Sequence, residues 1–397
     1  MENHKIVILK GPDRIRKRPA VIFGLDDIAG VKNAVTFLLE MFATETQLGH
    51  CKTISIKQTG ALLEISSDDR GLYLGQDVGD DSVWKNIFCE MFPASAFPPD
   101  DGDYTYGLVD PAHHLLYGDK EQEKTIMPPE EPCFLELYAL QCASRFMDVM
   151  VVRDGLKSTL HFQKGYNVGG IQNEKTSEAS GTCFRFEMDK EVFTETVIPN
   201  DFFLDILRCY AILCPGLKCT YTNMESHEEV GFCYPGGIAQ YVGQGESVPV
   251  YSKEVTAKGK DRYNRAEYEA CVQLAMAVVP ENGNLLCLHN YRNLTKGGTH
   301  CDALKERICH AFLSAFRVEF EGKEEPTFEE LQKHLQVVLV SWCSPRCSDW
   351  ENGTRQSICN RMITDMTYDI SNRDLENHVY SNRESYRSII LKILKNR

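Results

Sequence analysis

The segment Gly30 to Leu48 carries no proline and no internal glycine, and its apolar residues Val31, Val35, Leu38, Leu39 and Phe42 recur at helical spacing. The spacing predicts a helix that ends at Gly49. Directly after it, Thr53 to Ile65 alternates apolar and polar residues around Thr59-Gly60, which is the pattern of a β-hairpin. A helix and a hairpin that each have one apolar face hide those faces by packing helix on sheet, so the chain must begin with an α+β layer.

The remaining elements extend that layer and then open a second one. Met147 to Arg153, Ser158 to Gln163 and Thr182 to Glu187 read as strands punctuated by Asp154-Gly155 and Lys164-Gly165, and Asp201 to Leu213 reads as a helix. Asp77 to Glu131 is rich in proline, aspartate and glycine, with a break at Phe97-Pro98-Pro99-Asp100-Asp101-Gly102-Asp103, and reads as a long surface excursion. After the polar turn Thr222-Asn223-Met224-Glu225-Ser226 come a helix at Ile238 to Val242, strands at Glu267 to Val279 and Leu285 to Asn290, helices at Cys301 to Phe316 and Thr327 to His334, and a strand at Gln336 to Trp342. The chain end is helical. With 397 residues, too many for one ordinary core, the expectation is two domains, 1–225 and 226–397.

Charge and cysteine usage narrow the function classes. With 43 basic and 57 acidic residues the net charge is −14, which opposes indiscriminate coating of DNA by the whole surface. Contact with DNA is then expected only through local basic patches, of which the stretch carrying Arg383, Arg387, Lys392, Lys395 and Arg397 is the best; its other reading is a solvated helix face. The sixteen cysteines are scattered, and Cys343 with Cys347 or Cys214 with Cys219 lacks the spacing of a zinc knuckle, so they read as reduced thiols and no metal site is expected. No signal peptide is evident, and apolar runs such as Val272 to Pro280 are too short to span a bilayer. The expectation is a cytoplasmic protein with no membrane segment.

Four short motifs carry a resemblance. Arg16-Lys17-Arg18-Pro19-Ala20-Val21-Ile22-Phe23-Gly24 resembles the Arg-Lys-Arg-Pro-Gly-Met-Tyr-Ile-Gly opening of DNA gyrase B subunits, and Leu48-Gly49-His50-Cys51-Lys52 resembles their Ala-Gly-His-Cys-Lys. Tyr234-Pro235-Gly236-Gly237-Ile238 is similar to the Gly-Gly-Ile that opens the family's transducer, and Lys296-Gly297-Gly298-Thr299-His300 to its Glu-Gly-Gly-Thr-His. Their order and approximate spacing agree with gyrase B and its topoisomerase IV counterpart. The resemblance implies an α+β fold in which a Bergerat (GHKL) ATPase-like sandwich precedes a transducer domain like ribosomal protein S5. It implies ATP and Mg²⁺ as cofactors where the site is functional, and assembly as a homodimer or as a heteromer with a gyrase B-like subunit.

The same resemblance implies that the ATP site is altered. The family places a carboxylate on the first helix to orient water and an asparagine one turn later to hold Mg²⁺. Counting back from Gly49 puts Phe37 and Met41 there, and neither a phenyl ring nor a thioether can take those roles. A slip of three residues brings Glu40 and Thr44 into the same relation at the cost of a gap. In the adenine motif Asp-x-Gly-x-Gly the chain has Ser67-Asp68-Asp69-Arg70-Gly71, so Gly71 matches and Asp68 is the substitute carboxylate. The family's phosphate-wrapping lid is replaced by Met127-Pro128-Pro129-Glu130-Glu131-Pro132-Cys133, whose prolines lack donors. Gly181-Thr182 matches the Gly-Thr near adenine, and Gly353-Thr354-Arg355 resembles the Gln-Thr-Lys loop that reaches the γ-phosphate.

These substitutions imply a pseudo-ATPase that works as an interaction or regulatory module. The first alternative is a divergent ATPase of DNA topology using Glu40, Asp68 and Arg355, and the second is a decoy that inhibits gyrase. Fifteen residues precede Arg16, so the family's dimer-embracing arm is expected in reduced form or not at all, and the sequence contains no Glu-Gly-Asp-Ser-Ala cleavage signature. DNA cleavage by this chain alone is therefore not expected.

Overall fold

The computed structural model describes residues 9–75, 82–90, 134–244, 249–260, 267–343, 348–351 and 356–396. They form two compact units: the described residues up to 210 with 217–233, and residues 211–216 with 234–396.

The first unit is built on one sheet. Its strands are β1 (Thr53–Thr59), β2 (Leu62–Ser67), β3 (Ser144–Arg153), β4 (Leu156–Gln163), β5 (Tyr166–Asn167), β6 (Gln172–Lys175), β7 (Gly181–Met188), β8 (Lys218–Asn223) and β9 (Glu228–Phe232). They lie in the order β5-β4-β3-β7-β2-β1-β8-β9, with β6 also on β4. Every pairing is antiparallel except β1 with β8, which runs parallel. The anticipated helix and hairpin are present as α3 (Ile28–Gln47) and β1–β2. Asp27 caps α3 by accepting from the Ala29 amide at 2.8 Å.

Strand alternation sorts the two faces of this sheet. Inward go Ile54, Ile56, Leu63, Ile65, Met147, Val149, Leu160, Phe162, Phe184 and Phe186, all buried. The outer face carries a row of cross-strand neighbours, Lys57, Glu64, Arg185, Asp148 and His161, whose charged and ionisable groups alternate in sign across five strands. Lys57 Nζ lies 2.8 Å from Glu64 Oε1, Arg185 Nη1 3.2 Å from Asp148 Oδ2, and His161 Nδ1 2.5 Å from Asp148 Oδ1.

The helices of this unit are α1 (Asp13–Arg16), α2 (Ala20–Phe23), α3, α4 (Ser82–Phe88), α5 (Phe134–Ala143) and α6 (Asn200–Leu213), the last as far as residue 210. The helix α4 corrects the reading of Asp77 to Glu131 as a surface excursion, because Trp84, Ile87 and Phe88 are buried. Phe88 meets Phe162 at 5.4 Å and Phe184 at 6.4 Å between ring centroids, and Phe184 in turn meets Phe42 at 6.1 Å. These aromatic contacts hold α3 and α4 to the sheet. The rest of the Asp77 to Glu131 stretch, including the Phe97 to Asp103 break, lies outside the described residues.

The second unit contains a five-stranded sheet in the order β10-β11-β14-β12-β13, formed by Tyr251–Lys260, Glu267–Val278, Leu335–Cys343, Asn284–His289 and Arg292–Asn293. The pairing of β12 with β14 is parallel and the others are antiparallel. Strands β8, β9 and β10 were not anticipated; β10 lacks a strongly apolar face, as its Lys253, Glu254, Lys258 and Lys260 show. The helices are α7 (Gly237–Val242), α8 (Thr299–Ala315), α9 (Phe328–Gln332), α10 (Arg361–Ile370), α11 (Arg373–Ser381) and α12 (Arg383–Asn396). Leu304, Phe312, Leu339, Ile370, Leu375 and Ile390 belong to one buried cluster. The anticipated basic C-terminal helix is α12; Tyr386, Ile389 and Ile390 are buried, whereas Arg387 and Lys392 are exposed. No helix among the described residues is long and apolar enough to cross a membrane.

Candidate functional site

Three segments of the first unit meet where the sequence motifs cluster: the middle of α3, the turn that follows β2, and the start of β7. Along α3, Phe37 is half-buried and Met41 is 3% exposed. Together with Ala34 and Leu38 they face Glu136, Leu137 and Leu140 of α5, and the cavity left between the two helices is about 10 Å³. A single water needs roughly 10–15 Å³ of such space, so little room is left between these side chains. Glu40, the alternative carboxylate, is buried at 6% exposure but does not line the space shared by Phe37 and Met41.

One turn beyond Met41, Glu45 is 1% exposed and receives a two-pronged contact from Arg70, with Nε to Oε2 at 3.1 Å and Nη2 to Oε1 at 2.9 Å. This fork ties the end of α3 to the turn after β2 with fixed geometry. The sequence reading missed the pair. Its signal was a carboxylate at i+4 from Met41 on an otherwise apolar helix face, with an arginine inside the next motif.

The turn itself separates two adjacent aspartates. Asp68 is exposed, and its Oδ1 accepts from the backbone amides of Lys52 and Thr53, each at 2.7 Å, so this carboxylate holds the entry to β1. Asp69 is 5% exposed and turns inward, where its Oδ1 accepts from the Gly71 amide and the Thr182 hydroxyl, each at 2.9 Å. Thr182 in turn accepts from the Leu72 amide at 3.1 Å. The carboxylate beside Thr182 is thus Asp69, whereas Asp68 meets the Lys52 and Thr53 amides. Burial pushes the Asp69 carboxyl up to about 6; the Gly71 and Thr182 hydrogen bonds oppose that rise and the nearby Glu45 adds to it.

Gly71 has φ +81°, and a Cβ built there would lie 2.3 Å from the carbonyl oxygen of Val152. Glycine is therefore required by both backbone conformation and space. Arg153 Nη1 donates to the Gly71 carbonyl at 2.9 Å, which fixes the turn against β3. Register places Ser67 directly opposite Thr182, and Asp69 Oδ1, which accepts from both the Gly71 amide and the Thr182 hydroxyl, lies between those two residues.

In the second unit, the Gly-Gly-Thr-His motif opens α8. Gly298 has φ +138° and no room for a side chain, because a Cβ would sit 2.1 Å from the Ile358 carbonyl oxygen. Arg355, and with it the Gly353-Thr354-Arg355 loop, lies outside the described residues, as does the Met127 to Cys133 segment. Every cysteine among the described residues is a free thiol, and no three His, Cys, Asp or Glu side chains among them are grouped to hold a metal ion.

Comparison with known proteins bears on the fold. Residues 237–397 match the DNA gyrase B family model. The DNA gyrase B protein of Thermotoga maritima is 21% identical over 98% of this chain and 58% of its own length. The corresponding protein of DNA topoisomerase 4 from Salmonella typhimurium is 24% identical over 77% of this chain and 45% of its own. The chain thus spans about half the length of the curated relatives it matches. Among solved structures, the 43K ATPase domain of Thermus thermophilus gyrase B in complex with an aminocoumarin superposes with a TM-score of 0.63 at 20% identity, covering 98% of this chain and 95% of that one. The DNA gyrase B protein of Myxococcus xanthus gives 0.64 at 17%, covering 97% and 99%. The chain resembles the ATPase and transducer region of these proteins, and its α+β fold is theirs.

Proposed function

We propose that this chain, which has the fold of the ATPase and transducer region of gyrase B-like proteins, is a pseudo-ATPase that acts as an interaction or regulatory module. The observation that carries the reading is the apolar contact between α3 and α5: Phe37 and Met41 stand where the resemblance puts the water-orienting carboxylate and the Mg²⁺ ligand, and the remaining space is about 10 Å³. A triphosphate with its ion needs polar groups and room there, and apart from Glu136, a carboxylate that would repel phosphate, this contact supplies neither. The domains would divide near residue 225 into an ATPase-like and a transducer-like part. Assembly would be with a second copy or with an intact gyrase B-like subunit, in the cytoplasm.

Isothermal titration of the protein with a non-hydrolysable ATP analogue and Mg²⁺ tests the reading. Absence of saturable heat is expected. Clear saturable binding would overturn it.

A divergent ATPase is the second reading, and the buried Asp69 beside Thr182 favours it, because it leaves a carboxylate at the end of β2. On that reading ATP and Mg²⁺ are cofactors and Arg355 a phosphate contact. A gyrase decoy is the third; purified gyrase would lose supercoiling activity when this protein is added.

A further inference from the structure

The N-terminal residues 9–18 make contacts that converge on one end of α5. Pro12 seats against Gly165, where φ is +89° and a Cβ would come within 2.4 Å of the proline ring. Arg16, with its side chain 12% exposed, donates through Nη1 to the Cys142 carbonyl at 3.1 Å. Its Nη2 reaches Asp189 Oδ2 at 2.6 Å and Glu191 Oε2 at 3.1 Å. The Asp189 amide donates to the Ala143 carbonyl at 3.0 Å, and Lys164 Nζ lies 2.8 Å from Glu191 Oε2. The last carbonyls of a helix lack partners within the helix, and here a cation held between two carboxylates provides one. Burial alone would raise the Asp189 carboxyl, yet the Glu191 amide and Arg16 more than offset it and leave it lowered, so the carboxylate stays charged against the guanidinium.

The other face of α5 carries Leu137 and Leu140 onto Phe37 and Met41. Apart from Glu136 at its edge, that contact is apolar, and apolar contact has no preferred direction. Arg16 adds the directional tie, since a guanidinium fork fixes both distance and angle.

We propose that residues 9–18 form a strap, latched by Arg16, that holds α5 against Phe37 and Met41, and that unlatching it opens the space between α3 and α5. The proposal rests on the reading that the contact between these helices excludes nucleotide, and its test separates the two.

Hydrogen exchange of the full chain, read by mass spectrometry, compares wild type with Arg16→Met, which keeps the aliphatic stem. Amides of 137–143 should exchange at least about tenfold faster in the variant, while the β1–β2 hairpin is unchanged. Unaltered exchange in α5, or an equal acceleration throughout the sheet, would overturn the latch. Should Arg16→Met fail to fold, Asp189→Asn, which removes one charge from the fork, gives the same comparison. The titration with the ATP analogue is then repeated on the variant. Binding gained only there supports both latch and closure; faster exchange without binding keeps the latch and counts against the α3/α5 contact as the element that excludes nucleotide.

Discussion

Thr182 donates its hydroxyl proton to Asp69 at 2.9 Å and accepts from the Leu72 amide at 3.1 Å, so one buried threonine joins the start of β7 to the turn after β2. The relationship determines the pH response of this region. A buried carboxyl pushed up to about 6 from the ordinary 3.8 binds its proton more tightly in the folded than in the unfolded chain. Stability from this group is therefore present below about pH 4 and is lost as pH rises through about 6. The shift of 6 − 3.8, about 2 units, corresponds to about 3 kcal/mol.

Asp69→Asn keeps an oxygen for both hydrogen bonds and removes the titration. The difference in urea-unfolding free energy between variant and wild type should favour the variant at pH 7 by up to about 3 kcal/mol and shrink towards pH 4. A difference that stays constant between pH 4 and 7 would show that Asp69 does not titrate in this range.

The Glu45–Arg70 fork predicts strong coupling. Arg70→Met leaves Glu45, 1% exposed, without its cation and should destabilise by about 3 kcal/mol or more. The double variant Glu45→Gln with Arg70→Met should recover most of that loss. A double-mutant cycle by chemical denaturation measures it, and additive effects would mean that the fork contributes nothing of its own.

Two glycines with similar backbone angles should behave differently. At Gly71, φ +81°, an added Cβ meets the Val152 carbonyl; at Gly170, φ +71°, it meets nothing within 4 Å. Gly71→Ala should cost more than about 2 kcal/mol and shift the melting temperature by several degrees, whereas Gly170→Ala should cost about 1 kcal/mol from backbone strain alone. Equal shifts in a thermal melt would refute the steric account of Gly71.

The pairing of Asp69 with Thr182 also marks the limit of the sequence reading. Continuing the alternation of β2 past its last residue, Ser67, would put 67 and 69 on one side and 68 on the other, a signal available in Ser67-Asp68-Asp69. Parity does not say which side is covered. That was decided by tertiary packing, which buries Asp69 beside Thr182 and Glu45 and leaves Asp68 to hold the Lys52 and Thr53 amides. The helix α4 was hidden for a related reason, since seven residues are too few for periodicity to stand out amid proline and glycine.

Local patterns determined much by themselves. The spacing of Val31 to Phe42 specified α3 and alternation about Thr59-Gly60 specified β1–β2, because each of these rests on neighbours in the chain. Tertiary structure alone decided which carboxylate meets Thr182, that Glu45 receives Arg70, and that Arg16 reaches Cys142 and Asp189, for these partners lie 25 to 173 positions apart and only packing brings them within hydrogen-bonding distance.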